Sequence, residues 1–275
     1  MNKENSTNWG VTLLIALGSV LILIPLYMTI SIALKNPEEM ANSVFSLPIG
    51  LHFENFANAI EATNFFGALK NSTIITVVAV GIILLTNSLV SYAIARNMDK
   101  FKFYKGLYFY FISALFIPFQ IIILPVVKLT TTLQMNNIPG LIILYIVYGL
   151  AFNIFVYVGY IRSIPIELEE AATVDGASTY GTFWRVIFPL LAPINATIAI
   201  LSCLSIWNDF LLPLIILGKP ESYTLPLVQY VFQGQFSTDF NLAFASYLLA
   251  LAPMVIVYLF VQKWIINGIT QGAVK

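Results

Sequence analysis

The chain has 275 residues, of which 59% are hydrophobic and only 9% are charged, and its formal net charge is zero. A soluble domain carries about a quarter of charged residues, so this chain lacks the polar side chains that a fully water-facing surface needs. Its balanced charge and the absence of a basic run argue against nucleic acid as a partner. The composition therefore predicts a protein that crosses a membrane several times.

Six apolar segments are long enough to cross a hydrocarbon core, which takes about 20 helical residues. They are residues 11–34, 72–95, 106–127, 139–161, 188–210 and 243–265. The first is too long for the apolar region of a signal peptide, so we interpret it as a retained membrane helix. We expect an all-α membrane protein in which residues 1–275 form a single transmembrane domain.

The lysines and arginines indicate the orientation, because they concentrate in cytoplasmic loops. With the N-terminus inside, nine of them lie on the inner side and four on the outer side. The inner set is Lys3, Arg96, Lys100, Lys102, Lys105, Arg162, Arg185, Lys263 and Lys275, and the outer set is Lys35, Lys70, Lys128 and Lys219. Both termini and the segment 163–188 are therefore predicted to be cytoplasmic.

The longest connection, residues 35–71, falls outside the membrane in this orientation. The spacing of its apolar residues over 51–69 suits a short amphipathic helix at the outer surface. We expect this helix to cover the helix bundle rather than bind a ligand, and we assign no role to His52. Prolines inside the predicted spans should kink their helices; they are Pro25, Pro118, Pro125, Pro193 and Pro253.

The segment 163–188 is a polar interval between two apolar spans. We expect a helix that is capped by Ser163 or Ile164 and carries Pro165 in its first turn, where a missing N–H costs nothing. Three acidic residues, Glu167, Glu169 and Glu170, follow near the positive end of the helix dipole. Gly176 is predicted to end the helix in the left-handed conformation. A second short helix should run from Ser178 to about Ile187 and stop at Pro189.

The chemistry available to the chain is narrow. One cysteine, Cys203, and one histidine, His52, are too few for an intrachain disulfide or for a Cys/His zinc site. The sequence contains neither a G-x-x-x-x-G-K-[ST] phosphate loop nor a G-x-G-x-x-G motif. We therefore expect no metal, no cofactor held by this chain, no catalytic residues and no enzymatic activity. If solute moves uphill, another chain must supply the energy.

The segment 163–188 resembles the cytoplasmic signature of permease subunits in binding-protein-dependent ABC importers. The resemblance is carried by Glu170-Ala171-Ala172, Asp175-Gly176-Ala177, Phe183, Val186, Pro189 and Pro193. Val186 stands where the family usually has Ile, and Phe188 where it has Leu. The run from Trp207 to Phe210, Pro213, the outer loop from Phe53 to Phe56 and the glycine-rich ending are similar to the carbohydrate branch, in particular to the second permease of the maltose transporter.

The resemblance implies a type I ABC importer permease fold in the cell membrane. It implies as partners a second homologous permease, two ATP-binding subunits that hold the ATP, an extracellular solute-binding protein and membrane lipid. The segment 163–188, called here the coupling segment, would contact an ATP-binding subunit. The docking residues it implies are Glu167, Glu170, Ala171, Ala172, Asp175, Gly176, Ala177, Phe183 and Pro189, with Glu170 paired to a basic group and Phe183 anchoring the second helix.

Three polar residues are candidates for the substrate pathway: Asn153, Asn208 and Asp209. Asp209 stands at the edge of a predicted span, where a carboxylate needs water, a partner or a cavity. The sequence favours a sugar importer subunit that forms half of the translocation pore. Two alternatives remain open, namely an ABC importer permease for an amino acid, peptide or osmolyte, and an ATP-independent carrier or channel.

Overall fold

The computed structural model describes residues 9–232 and 239–273, and all regular elements in these ranges are helical. Lys3 and Lys275 of the inner set lie outside the described residues. The longer helices are α1 (Trp9–Ala33), α4 (Phe65–Asn97), α5 (Lys102–Ser113), α6 (Phe119–Thr132), α7 (Ile138–Ile161), α11 (Ala192–Trp207) and α14 (Phe240–Ala273). The shorter ones are α2 (Pro37–Asn42), α3 (Glu54–Ala62), α8 (Glu167–Val174), α9 (Thr179–Thr182), α10 (Phe188–Leu190), α12 (Leu211–Ile216) and α13 (Leu225–Val228).

Four described helices are individually long and apolar enough to cross a membrane: Trp9–Ala33, Phe65–Asn97, Ile138–Ile161 and Phe240–Phe260. Two further candidates are bent pairs, Lys102–Phe116 with Phe119–Thr132 and Thr179–Leu190 with Ala192–Trp207. If each pair counts as one span, the number of spans is six, the number predicted from the sequence. The predicted third and fifth spans are thus broken helices rather than continuous ones.

The first break turns the chain by 106° between α5 and α6. Pro118 precedes α6 with φ −61° and ψ 134°, and Ile117 before it is also extended. After α5 the chain continues as a 3-10 turn over Ala114–Phe116. A proline disfavours the helical conformation of its preceding residue, which explains why this turn stops at Phe116. Pro125 has a milder effect, because α6 continues through it. Pro25 and Pro253 likewise lie inside α1 and α14.

The second break turns the chain by 74° at Leu191. Pro193 lies in the first turn of α11 and not in the interior of a span. Its ring would clash with the carbonyl four residues earlier in a continuous helix, and its missing N–H is tolerated in a first turn. The interruption expected at Pro193 is therefore present, and it takes the form of a break with a new helix beginning at Ala192.

The backbone contacts divide the chain into two compact units. The first draws on Met1–Phe66 and Val228–Ile256. Its buried core consists largely of small residues, with Ala33, Ala59, Ala243 and Ala245 packed together, as is typical of membrane helices that approach closely. The amides of Asn55 and Asn241 both donate to the carbonyl of Lys35, and so satisfy a group that would otherwise lack a partner beyond the end of α1.

The outer amphipathic helix is shorter than predicted. Residues 51–69 were expected to form one helix, but α3 ends at Ala62 and α4 begins at Phe65. Asn64 separates them with φ 46°, a left-handed conformation that asparagine tolerates. Asn55 and Ala59 are the buried residues of α3, which covers the end of α1 as expected.

The second unit draws on Gly67–Leu227 and Val257–Lys275. Its core is formed by fully buried apolar residues from α4, α7, the coupling segment and α11. They include Ile83, Leu141, Ile154, Tyr157, Ile161, Phe183, Ile187, Leu191 and Ile198. Residues of the coupling segment thus belong to the same core as the membrane helices.

Candidate functional site

The first helix of the coupling segment, α8, begins later than the sequence suggested. It starts at Glu167, and Ile166 precedes it without a side-chain cap. The Ser163 hydroxyl instead donates to the Tyr160 carbonyl at the end of α7, over 2.7 Å. Pro165 therefore lies before the helix and not in its first turn, and the expected cap at Ser163 or Ile164 was wrong.

The end of α8 agrees with the prediction. Gly176 has φ +83°, and its N–H donates to the Thr173 carbonyl. Ala177 N–H donates to the Ala172 carbonyl, which closes the turn. A Cβ added at Gly176 would meet no atom within 4 Å, so the requirement for glycine is conformational within this chain.

The second helix also begins as predicted but does not stop at Pro189. Ser178 caps α9 by accepting a hydrogen bond from the Gly181 N–H. The chain then widens into a π-helical turn over Phe183–Ile187, in which the Phe188 N–H donates to the Phe183 carbonyl. It continues as α10 to Leu190. The extra residue of a π turn shifts the hydrogen-bond register. Pro189 then falls in the first turn of α10, where the missing backbone N–H of a proline is tolerated.

A buried ion pair attaches the coupling segment to α4. Arg96 Nε donates to Glu169 Oε1 over 2.7 Å, and the Tyr92 hydroxyl donates to Glu169 Oε2 over 2.7 Å. Arg96 also donates to the Ile164 carbonyl over 3.0 Å. Glu169 was expected only to favour the helix dipole, yet it is the one acidic residue of α8 that is buried. Its partners lie more than seventy residues earlier in the sequence, which is why the sequence did not reveal them.

Phe183 is fully buried, with a relative exposure of 0%. Its ring lies 5.2 Å from that of Tyr92 and 4.8 Å from that of Trp184, between centroids. Ile187 is also fully buried. Phe183 therefore has the position of an anchor for the second helix within the unit, the part that the resemblance implied for it, and it presents no surface of its own to another subunit.

The outward side of α8 combines acidic and apolar side chains. Among the predicted docking residues, Glu167, Glu170, Ala171, Asp175, Gly176 and Pro189 are exposed, and Ala172 and Ala177 are half-buried. Val174, which the sequence analysis did not single out, is 87% exposed. Tyr180 on α9 is also exposed. Exposed acids and exposed apolar side chains thus lie together on the outward side of the coupling segment.

A cavity of about 350 Å³ lies between α4, α7 and α11. Asn153 contributes to its lining together with Tyr145, Tyr148, Phe152 and Ser205. The Asn153 side chain is 1% exposed, and its amide Nδ2 has no hydrogen-bond partner. Nδ2 of the fully buried Asn87 also lacks one. An unpaired buried amide is costly, and of these two donors only that of Asn153 belongs to a residue lining the cavity.

The other two pathway candidates have structural hydrogen bonds. Asp209 accepts the Tyr145 hydroxyl over 2.9 Å and the Leu211 N–H over 3.0 Å, and so holds the start of α12. Asn208 is exposed, and its amide donates to the Leu204 carbonyl of its own helix. Asp209 is thus connected to the cavity through Tyr145, whereas Asn208 does not line it. In the part of the chain that the structure describes, no group of His, Cys, Asp and Glu could hold a metal ion.

The sequence comparisons agree on one family. Residues 87–271 match the family described as the inner membrane component of binding-protein-dependent transport systems. The chain is 42% identical, over the full length of both proteins, to the multiple sugar-binding transport system permease protein MsmG of Streptococcus mutans. It is 34% identical, again over the full length of both, to the probable starch degradation products transport system permease protein AmyC of Thermoanaerobacterium thermosulfurigenes.

The fold is shared with a chain of the bacterial ABC transporter that imports the acidic polysaccharide alginate. The superposition has a TM-score of 0.80 at 22% identity and covers 96% of this chain and 98% of that one. It supports the all-helical permease fold expected from the sequence. The chain belongs to the family of inner membrane components of binding-protein-dependent transport systems, as a multi-pass permease subunit of the cell membrane that is not itself an enzyme.

Proposed function

We propose that the chain is the membrane-spanning subunit of an ATP-driven sugar importer. In this proposal it forms half of the translocation pore, and a second homologous permease forms the other half. Two separate subunits bind ATP, and an extracellular solute-binding protein delivers the solute. The cargo class rests on the relatives, which are named as permeases for multiple sugars and for starch degradation products.

The observation that carries the coupling role is the construction of the coupling segment. Its outward side offers Glu170 and the exposed Val174, while its inward side is fixed to α4 through Glu169 and Arg96. A groove on an ATP-binding subunit that presents apolar and basic groups would complement this surface. Because both carboxylate oxygens of Glu169 are bound to side chains of α4, we expect a displacement of α8 to move the end of α4 with it.

The proposed docking surface comprises Glu167, Glu170, Ala171, Ala172, Val174, Asp175, Gly176 and Ala177. Phe183 supports this surface from the core. Pro189 lies in α10, the last part of the second helix, which leads into the bend at Leu191. The absence of a phosphate loop from the sequence is consistent with ATP being held by the partner.

For the substrate pathway we propose that Asn153 makes the leading contact. Amides and hydroxyls beside aromatic rings suit a neutral, hydroxyl-rich solute, because each donor finds an acceptor and the rings cover the apolar face of a sugar. The residues lining the cavity include Tyr148, Phe152 and Ser205 and none with a charge. Asp209 acts indirectly, by holding Tyr145, and Asn208 lies on the path outside the cavity.

Gentle purification of the chain from its native membrane, with mass spectrometry of the proteins that accompany it, tests the assembly. We expect an ATP-binding subunit, a second permease and a solute-binding protein. Uptake of a panel of labelled sugars, amino acids, peptides and osmolytes into cells with and without the chain then tests the cargo. Solute flux through the chain reconstituted alone, without ATP, would contradict the proposal.

A further inference from the structure

An uncharged segment on the first unit displays its apolar side chains. Between Glu39 and Glu54 the sequence contains no Asp, Glu, Lys or Arg. The alternating residues Phe45, Leu47, Ile49, Leu51 and Phe53 are all exposed, and Ile49 reaches 92%. So many large apolar side chains in one stretch need a cover, since water around them is unfavourable. We call residues 43–53 the apolar segment.

The beginning of the apolar segment is bound along the last turns of α1. Lys35 is fully buried, and its Nζ donates to the carbonyls of Ser43 and Val44 over 2.9 and 3.2 Å. The Ser31 hydroxyl donates to the Ser46 carbonyl over 3.1 Å. The Tyr27 hydroxyl donates to the Phe45 carbonyl over 2.8 Å. These donors are spaced four residues apart on one face of the helix.

The far end of the apolar segment is also fixed. Glu39 accepts the N–H groups of Ile49 and Gly50 over 3.0 and 3.3 Å. The His52 N–H donates to the Leu34 carbonyl over 3.0 Å. Several of the segment's backbone polar groups are therefore bonded within the protein, while its apolar side chains point away. Internal bonding of backbone groups is what a chain needs when it lies against hydrocarbon.

The contacts to α1 set the depth of the segment. Tyr27 precedes the end of α1 at Ala33 by six residues, or about 9 Å at 1.5 Å per residue. The 25 residues of α1 span about 37 Å, against a hydrocarbon core of about 30 Å. With α1 centred on the core, the contact of Tyr27 with Phe45 lies about 5 Å inside the outer boundary of the hydrocarbon core, and the bond between Leu34 and His52 places the far end of the segment near that boundary.

We propose that the apolar segment lies in the outer leaflet of the membrane, with Phe45, Leu47, Ile49 and Leu51 in contact with lipid acyl chains. The segment continues the apolar surface of α1, which is exposed along most of its length within this chain. Apart from His52, which is paired with Glu39 and Glu54 at the far end, this stretch has no ionisable side chain. In this proposal the buried Lys35 holds the segment at this depth, through the hydrogen bonds from its Nζ to the carbonyls of Ser43 and Val44.

Fluorescence quenching in a lipid bilayer tests the depth. The full chain, with the subunits that purify with it, carries Cys203→Ser and Ile49→Cys labelled with the polarity-sensitive fluorophore NBD. It is reconstituted into vesicles of phosphatidylcholine and phosphatidylglycerol that contain lipid with a doxyl group near the head of the acyl chain. We expect severalfold stronger quenching by the doxyl lipid than by aqueous iodide, and a blue shift of the emission.

Glu61→Cys in the same background is the matched control, because Glu61 is exposed on α3 of the same unit. We expect it to show the opposite preference, with strong iodide and weak doxyl quenching. Cys203→Ser alone gives the labelling background, and Leu47→Cys repeats the test if Ile49→Cys assembles poorly. Quenching of position 49 by iodide alone would overturn the proposal, as would protection from both quenchers, which would show that a protein covers the segment.

Discussion

Glu169 accepts hydrogen bonds from both Arg96 and Tyr92, so both of its carboxylate oxygens are bound to side chains of α4. The side chains of Arg96 and Glu169 are only 15% and 11% exposed. Neighbouring acids on α8 remain exposed. The acids of α8 thus fall into two groups. Glu169 fixes the coupling segment to α4, whereas Glu170 is exposed toward the partner that we propose.

Glu169→Ala should destabilise the second unit. Removing one member of a buried pair leaves the other unpaired, which costs about 3 kcal/mol or more. We expect a lower melting temperature of the purified complex and ATP hydrolysis that no longer drives uptake. Asp99→Ala is the matched control, because Asp99 and Arg162 form an exposed pair at 3.1 Å that should contribute about 1 kcal/mol at most. Equal effects of the two substitutions would contradict the anchor role of Glu169.

Glu170→Ala should leave folding intact and weaken the docking of the ATP-binding subunit. We expect a charge pair in a partly desolvated groove to contribute about 1.4 kcal/mol, which corresponds to about tenfold in affinity. Titration of the labelled ATP-binding subunit onto the permease in nanodiscs measures this affinity. Glu221→Ala, an exposed acid in another loop, serves as the control. An unchanged affinity for Glu170→Ala would remove this residue from the docking surface.

Asn153→Leu should raise the KM for sugar uptake and leave the ATP-binding subunit attached. The substitution removes a buried donor that lacks a partner within the protein, so the free chain should lose no stability. Thr73→Val, on the exposed side of α4, is the control and should leave KM unchanged. If KM is unaffected by Asn153→Leu, the cavity is not on the substrate pathway.

The outer loop should open as the pH rises. The Glu54 carboxylate, 2.6 Å from His52 Nδ1, raises the pKa of His52 above its usual 6.5, and Glu39 adds to this effect. A raised folded pKa stabilises the loop below pH 6.5, and this contribution is lost as the pH rises through the folded value. Hydrogen exchange at residues 49–52, corrected for intrinsic rates, should accelerate above neutral pH. His52→Gln should remove this dependence, and a pH dependence that persists in it would contradict the assignment.

The features that could be predicted from the sequence are those set by local chemistry. The left-handed Gly176 and the start of the second helix at Ser178 follow from residue type and spacing, and the structure confirms both. The start of α8 at Glu167 could not be predicted. Nor could the continuation of the second helix past Pro189, because the π turn that precedes it lies where Phe183 and Ile187 pack into the core. The Arg96–Glu169 pair could not be predicted either, because the two residues are 73 positions apart and nothing local to either one indicates its partner.

The break at Pro118 shows the same limit for the fold. Proline at that position indicates an interruption, but only the packing of α5 and α6 decides whether the helix kinks or turns by 106°. The family, by contrast, was accessible from the sequence. Its signature lies within two dozen residues of the coupling segment, and the comparisons confirm the resemblance.

The central claim is that the coupling segment binds a separate ATP-binding subunit, and Gly176→Asp tests it most directly. A Cβ at Gly176 has open space within this chain, and aspartate tolerates the left-handed conformation better than most residues. The φ of +83° still strains any side chain at this position, so a loss of the ATP-binding subunit is read as lost docking only in protein whose membrane insertion and melting temperature match those of the unsubstituted chain. Gly218→Asp, also in open space but in another loop, is the control.

The decisive measurement is the amount of ATP-binding subunit that co-purifies with each variant, after membrane insertion has been verified. We predict that Gly176→Asp inserts normally, loses the ATP-binding subunit and abolishes uptake, while Gly218→Asp retains the subunit. Full retention of the ATP-binding subunit and normal uptake by the Gly176→Asp variant would contradict the account.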